Sequence, residues 1–363
     1  MLAYTIMKKS IFQHILGWLP AEEAHNLRLM SLRLVGKIPT GRWWLKMCHA
    51  PRKINLERNV FGMHFKNPIG IGAGIDPNAQ CLNEFAAIGF GFMEIGTVTY
   101  RSQHGSPRPR LCRFKGRNSL INNSGYPSRG MEYVIERVRN HSKRSDMILG
   151  CCIGKLTTTH RADAPKEYLR VFRNLYQYVD FFTVNISSNS SAKPYVPRSR
   201  EEIQQLIEPL FEFRRGQQDY RPILLKISPD LTREELDTII DILIETPLDG
   251  VEAVAGSQKL SPDGRGAVSG ALLTDRAIEM VRYIAKRTKG NYPIIGAGGM
   301  MTPEDIRRMI DAGASLVALN SGIRENGIKL LKQASKALVA KDEITPATAV
   351  TPEQNNTTEN SQS

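Results

Sequence analysis

Three sets of residues in this chain are of types and spacings that can do chemistry. The first is Asn185-Ile186-Ser187-Ser188-Asn189-Ser190-Ser191, which follows the apolar run 181–184. Short polar side chains in such a cluster serve either as a surface turn, bonding neighbouring backbone, or as a loop that offers them to a ligand. The second is Lys226, inside the apolar run ILLKIS (223–228). A lysine on a buried strand is costly unless it meets an anion or stabilises developing negative charge. A Schiff-base nucleophile, or a lysine reaching solvent at the strand edge, would give the same pattern. The third set is glycine-rich: Gly296-Ala297-Gly298-Gly299, then Ser321-Gly322, each closing an apolar run. Glycines there let backbone N–H groups approach a phosphate closely, although simple tight turns use the same residues.

These residues need elements to position them. Eight apolar runs recur, most of them punctuated by glycine, at 68–74, 92–99, 147–154, 181–187, 223–228, 250–256, 293–299 and 316–322. Near-continuous apolar runs are expected of parallel strands buried on both faces. Helical spacing of apolar residues marks 200–215, 232–245, 274–287 and 302–313. Thr232 with Glu235, Thr274, and Thr302 followed by Pro303 read as helix starts. Gly313 reads as a C-cap. The alternation predicts an α/β fold, a (β/α)8 TIM barrel with a small N-terminal helical extension, in preference to an open sheet. Residues 54–65 predict a hairpin closing the barrel floor. Ligands of such barrels sit at the C-terminal strand ends, so the three chemical sets converge on one mouth.

Composition sets the remaining bounds. The chain has 363 residues with 41% hydrophobic and 23% charged content, and a net charge of +13. It divides into an amphipathic helical segment (1–50), a barrel (51–340) and a Thr-, Asn- and Pro-rich tail (341–363) expected to be disordered. The first segment sets basic residues beside Trp43 and Trp44, which suits a membrane interface or packing on a neighbouring domain. There is no run of eighteen apolar residues, no secretory cleavage pattern and no nucleic-acid-binding module. The five cysteines are scattered, without C-x-x-C or zinc-type spacing, which points to reduced thiols. Cys151 and Cys152 read as small buried hydrophobes.

Ordered along the chain are IFQHILGWLPAEEAH, NPIGIGAGID, GFGFMEIGTVT, PRLCRF, the INN-S-GY loop, VNISS, LLKISPDLT, SGALL, PIIGAGG and GASLVALNSG. Through these motifs, over roughly residues 10–335, the chain resembles the class 2 dihydroorotate dehydrogenases, which are quinone-dependent and membrane-associated. The resemblance implies FMN in the barrel and oxidation of dihydroorotate to orotate in pyrimidine biosynthesis. It also implies ubiquinone or menaquinone as acceptor, reached through a tunnel under the N-terminal helices. Peripheral attachment to the cytoplasmic face of the cell membrane follows from the same likeness. Ser188 falls at the position of the proton-accepting serine. Ala73, Gly74, Thr97, Asn185, Lys226, Gly270, Gly298, Gly299, Ser321 and Gly322 fall at FMN positions. Asn122 and Asn185 fall at substrate positions, and Arg113 at a quinone-tunnel position.

The likeness is incomplete. Pro77 stands where the family has a lysine, Cys152 and Ser190 where it has asparagines, and Asn320 where it has a tyrosine. Val254-Ala255-Gly256 stands in place of Thr-Asn-Thr, and Asn123-Ser124 in place of Arg-Met. Each missing partner costs about 1–3 kcal/mol. An impaired or inactive paralogue, or an FMN oxidoreductase with another substrate, therefore remains beside the dehydrogenase reading.

Overall fold

A computed structural model describes residues 18–51, 55–139, 147–187, 197 and 199–342. Ser188, Ser190 and the tail beyond Asp342 lie outside the described residues. Eight parallel strands close into a barrel: β3 (Ile69–Ile71), β4 (Phe92–Val98), β7 (Ile148–Ile153), β8 (Phe181–Asn185), β9 (Ile223–Ile227), β10 (Gly250–Ala253), β12 (Ile294–Ala297) and β13 (Leu316–Leu319). β13 returns to pair with β3, which removes every free edge. All eight runs anticipated from apolar content are strands.

The barrel is filled by residues of alternate position along each strand. Its lower layer is apolar: Phe92, Phe181, Leu224, Ile295 and Leu316 pack together without exposure. The hairpin β1 (Arg58–Val60) and β2 (Met63–Phe65) closes this end. Phe61 stacks on Phe181 at 6.5 Å, and Phe65 meets Phe92 edge-on at 5.9 Å. The expected floor is present. Sequence periodicity missed a second sheet, in which β6 (Ser119–Asn122) pairs with both β5 (Leu111–Phe114) and β11 (Ala267–Gly270). These strands of four residues are too short to show alternation.

The helices follow their capping chemistry. Thr232 and Thr302 each form a capping box, with Glu235 and Asp305 respectively, and Pro303 opens its helix. The helix Arg200–Arg215 starts at Ser199, whose Oγ accepts from Glu202 N at 3.2 Å. Two expectations are corrected. Thr274 caps nothing: its helix runs Ala271–Arg287 from Gly270, and Thr274 Oγ1 donates to Gly299 O at 2.8 Å. Ala312, not Gly313, is the C-cap of Pro303–Asp311; Gly313 follows it at φ +112°, a left-handed position that favours glycine.

Before the barrel come the helices Ala21–Lys37 and Gly41–His49. Ala24 and Leu45 are buried, and Arg42 reaches Glu84 at 3.5 Å. The other faces expose Met30, Leu34, Trp43, Trp44 and Met47, with Trp18 just ahead 89% exposed. Among the described residues no helix is long and apolar enough to cross a membrane.

The two capping boxes yield a simple test. Thr232→Ala and Thr302→Ala should each lower unfolding stability by about 1 kcal/mol. The denaturant midpoint should fall at constant m; an unchanged midpoint would refute a stabilising role for the caps.

Candidate active site

A cavity of about 800 Å³ opens at the C-terminal ends of the strands. Its position follows from the parallel arrangement, which gathers eight strand ends and their loops on one face. Of the residues singled out from the sequence, Ala73, Gly74, Thr97, Asn122, Asn185, Lys226, Gly298, Gly299 and Ser321 line it. Gly270, Gly322 and Arg113 lie off the wall. Arg113 on β5 instead meets Glu325 at 3.2 Å and donates to Leu19 O at 2.6 Å.

Two of the three off-wall residues still shape the cavity. Gly299 has φ +80°, and a Cβ there would lie 2.5 Å from Gly270 O and 2.7 Å from Thr274 N. A Cβ on Gly322 would lie 2.4 Å from Met300 O. The backbone at the ends of β12 and β13 is thus packed too closely for any side chain. Gly298 and Gly299 remain as bare backbone on the wall, beside Ser321, whose Oγ donates to Ser269 Oγ at 2.8 Å.

On the opposite side the wall is polar and ordered. Asn185 Nδ2 donates to Thr97 Oγ1 at 3.1 Å. Asn185 Oδ1 accepts from Ser187 N at 3.0 Å and Ser187 Oγ at 2.7 Å. Tyr168 OH donates to Asn185 O at 2.6 Å, and Tyr126 OH donates to Ser187 O. The Asn-Ser stretch therefore begins as a braced cavity wall rather than a surface turn. The candidate Ser188 follows it directly.

Lys226 is placed by register. It pairs laterally with Asn185 on β8 and with Glu252 on β10. Its Nζ lies 2.5 Å from Oε1 of Glu252, which has no exposed surface. Glu94 on β4 is buried nearby and accepts from Thr183 Oγ1. The remaining oxygens, Glu94 Oε2 and Glu252 Oε2, are buried with no N–H donor, and a hydrogen bond between the two acids, which needs a proton on one of them, helps to raise the Glu252 pKa. Burial opposes the charge on Lys226, but Glu252 and Glu94 outweigh it and hold the ammonium above its ordinary pKa. Burial, then the Glu94 charge, raises the Glu252 pKa against the pull of Lys226. Lys226 thus meets its partner within the barrel and needs no external anion to remain on its strand. Both acids were missed in the sequence, although an acid in an apolar run is the same signal that singled out Lys226.

The sequence model of the family described as "Dihydroorotate dehydrogenase" matches residues 55–341. The chain belongs to this family. A dihydroorotate dehydrogenase (quinone) of Christiangramia forsetii is 36% identical over 343 residues, covering 92% of this chain and 99% of the relative. One of Haemophilus ducreyi is 34% identical over 351 residues, covering 93% and 100%. The crystal structure of ligand-free DHODH from Eimeria tenella superposes with a TM-score of 0.78 at 26% identity, covering 89% of this chain and 95% of that one.

Membership of the dihydroorotate dehydrogenase family implies a flavin, and the cavity fits one. Closely approachable glycine backbone suits a phosphate, while Thr97, Asn185 and Lys226 supply side-chain donors opposite it. Of the positions that depart from the family pattern, Pro77, Ser124, Val254, Ala255, Gly256 and Asn320 are on the wall. Pro77, Ala255 and Gly256 bring no side-chain hydrogen bond. Asn320 donates to Ala73 O at 2.8 Å and accepts from Arg324 Nε at 2.8 Å. Cys152 lies off the wall, 3.4 Å from Thr97 Oγ1, and burial raises its pKa to about 12.

A pH dependence follows from Glu252. Its folded pKa is raised above the ordinary value of about 4.3. Between those two values the folded state holds a proton that the unfolded chain has lost. Its contribution to stability is present at low pH and is lost as pH rises through the folded pKa. Glu252→Gln should flatten the decline of stability between about pH 5 and about pH 8. Parallel stability–pH curves for the two proteins would contradict this.

Proposed function

We propose that the protein oxidises dihydroorotate to orotate with bound FMN and passes the electrons to a membrane quinone. The observation that carries this reading is the meeting of Asn122, Asn185 and Lys226 with the Gly298-Gly299 backbone in one cavity. Glycine backbone and Ser321 hold the phosphate end; Thr97, Asn185 and Lys226 face the ring system. Bound FMN supplies a two-electron acceptor. Asn122 and Asn185 orient the substrate ring, and Ser188 takes a proton from it. A serine is a weak base unaided, so its surroundings must move the proton on and steady the charge that develops.

The acceptor route runs beneath the helix Ala21–Lys37. Glu22, His25, Asn26 and Leu29 of that helix line the same cavity. Burial, then the Arg324 charge, holds His25 well below its ordinary pKa, and its Nε2 lies 2.8 Å from Ile75 O. The exposed Trp18, Met30, Leu34, Trp43 and Trp44 form the face that meets lipid, with the barrel peripheral on the cytoplasmic side. Pro77, Ala255 and Gly256 favour a second reading, a flavoprotein acting on a less polar substrate. Sites built on hydrogen bonds discriminate steeply once those bonds are gone.

A visible spectrum of the purified protein separates the readings. Flavin absorbance that bleaches on anaerobic addition of dihydroorotate supports the dehydrogenase. Flavin that stays oxidised supports the altered substrate, and a protein that takes up no FMN refutes both. In the active case Ser188→Ala should slow bleaching about 10²–10⁴-fold with FMN content unchanged; wild-type bleaching in that variant would remove Ser188 from its role. Replacing Trp18, Trp43 and Trp44 together by Glu should abolish sedimentation with anionic lipid vesicles, and retained binding would refute the lipid-facing assignment.

A further inference from the structure

Arg324 lies on the short helix Ser321–Asn326, which follows β13. It is only 9% exposed and lines the cavity beside Asn320. Its Nε donates to Asn320 Oδ1 at 2.8 Å, and its Nη2 donates to Gly74 O. Both partners are neutral, so a neutral amide could make these bonds; they do not use the charge. Nη1 has no partner among the described residues. The two acids whose charges reach Arg324 are committed elsewhere. Glu325 pairs with Arg113 at 3.2 Å, and Glu22 meets Arg108 Nε at 3.2 Å and Arg110 N at 3.1 Å. From the helix Ala21–Lys37, Arg28 donates to Arg324 O and brings a second cation. His25 on the same helix, held well below its ordinary pKa, brings no negative charge. Burial, then the Arg28 charge, lowers the Arg324 pKa to about 10. A buried guanidinium without a counter-ion is costly, and an anion supplied by a ligand would remove that cost.

We infer that Arg324 is a specificity-determining residue for the electron acceptor, and that it selects acceptors bearing an ionised ring oxygen. This rests on the quinone reading given under the proposed function, in which the acceptor enters beneath the helix Ala21–Lys37. Arg113, at the family's tunnel position, is off the wall with its charge met by Glu325. The unanswered charge on the wall at this end is that of Arg324. Its Nη1 carries two N–H donors in a fixed plane. An ionised oxygen accepts from them in a charge-assisted bond, stronger than the bond to a neutral carbonyl. It also supplies the negative charge that Glu22 and Glu325 withhold. A neutral quinone would accept the same hydrogen bond and leave the charge uncompensated.

The test uses the full chain, loaded with oxidised FMN, and two probes. One is lawsone, a naphthoquinone whose ring hydroxyl is ionised at neutral pH; the other is its methyl ether, with the same ring and no charge. Binding is read by titration calorimetry. The parent should bind lawsone at least about tenfold more tightly than the ether. Arg324→Gln should bring the two affinities together with FMN content unchanged. Equal affinities in the parent, or no binding of either probe, overturn the inference, and so does a preference that survives in Arg324→Gln. Arg324→Lys, which keeps the charge, is the second variant should the first fail to fold. It should retain the preference for lawsone, and losing it overturns the inference. Bleaching by dihydroorotate is read on the same preparations. An inference overturned with bleaching intact leaves the dehydrogenase reading standing, whereas a parent that takes up no FMN overturns both.

Discussion

The lateral register of β8, β9 and β10 is the constraint on which the site depends. Asn185, Lys226 and Glu252 are register neighbours across those strands. Because side chains alternate along a strand, a slip of one residue would turn them out of the barrel together. The aromatic floor holds that register: Phe181 and Leu224 lie on the same faces of β8 and β9, two or four positions below the polar row. The floor also excludes water. A charge pair in such surroundings interacts strongly, but each charge is costly to desolvate, so neither member is tolerable without the other.

Much of this architecture was legible in the sequence, for a physical reason. Parallel strands buried on both faces must be largely apolar, so all eight appear as apolar runs, six of them containing glycine. Helix starts were legible where a side chain does the capping, as at Thr232 and Thr302, and illegible where it does not. Gly270 begins its helix without a side-chain cap, so the eye falls on Thr274, one turn late. The sheet β5–β6–β11 has strands too short for periodicity, and β11 joins the β5–β6 hairpin from far along the chain. Lys226 was legible as an anomaly, but its explanation was not. Glu252 lies 26 residues away, and only barrel closure brings the two together.

The departures from the family pattern do not weaken the two ends of the cavity equally. At the β12–β13 end the surface offered to a ligand is backbone, fixed by close packing of Gly299 on Gly270 and of Gly322 on Met300. Side-chain drift elsewhere leaves such a surface intact. At the other end recognition uses side-chain donors and acceptors, and Pro77, Ala255 and Gly256 supply none. Asn320 is polar but already engaged with Ala73 and Arg324. Asn185 is different: its bonds to Thr97 and Ser187 brace the amide, which lowers the entropy lost when a ligand is gripped. Affinity for a cofactor and affinity for a substrate are therefore separable properties of this cavity.

The N-terminal helix ties the cavity to the protein surface through helical geometry alone. Glu22, His25, Asn26 and Leu29 follow the i, i+3, i+4, i+7 spacing that keeps residues on one stripe, and all four line the cavity. Met30 and Leu34, four residues apart, form another stripe that is exposed. A helix of this length cannot turn its exposed stripe toward a surface without fixing the direction of the other. Under the proposed reading, lipid contact would set the inner stripe, and with it the acceptor route, facing the membrane.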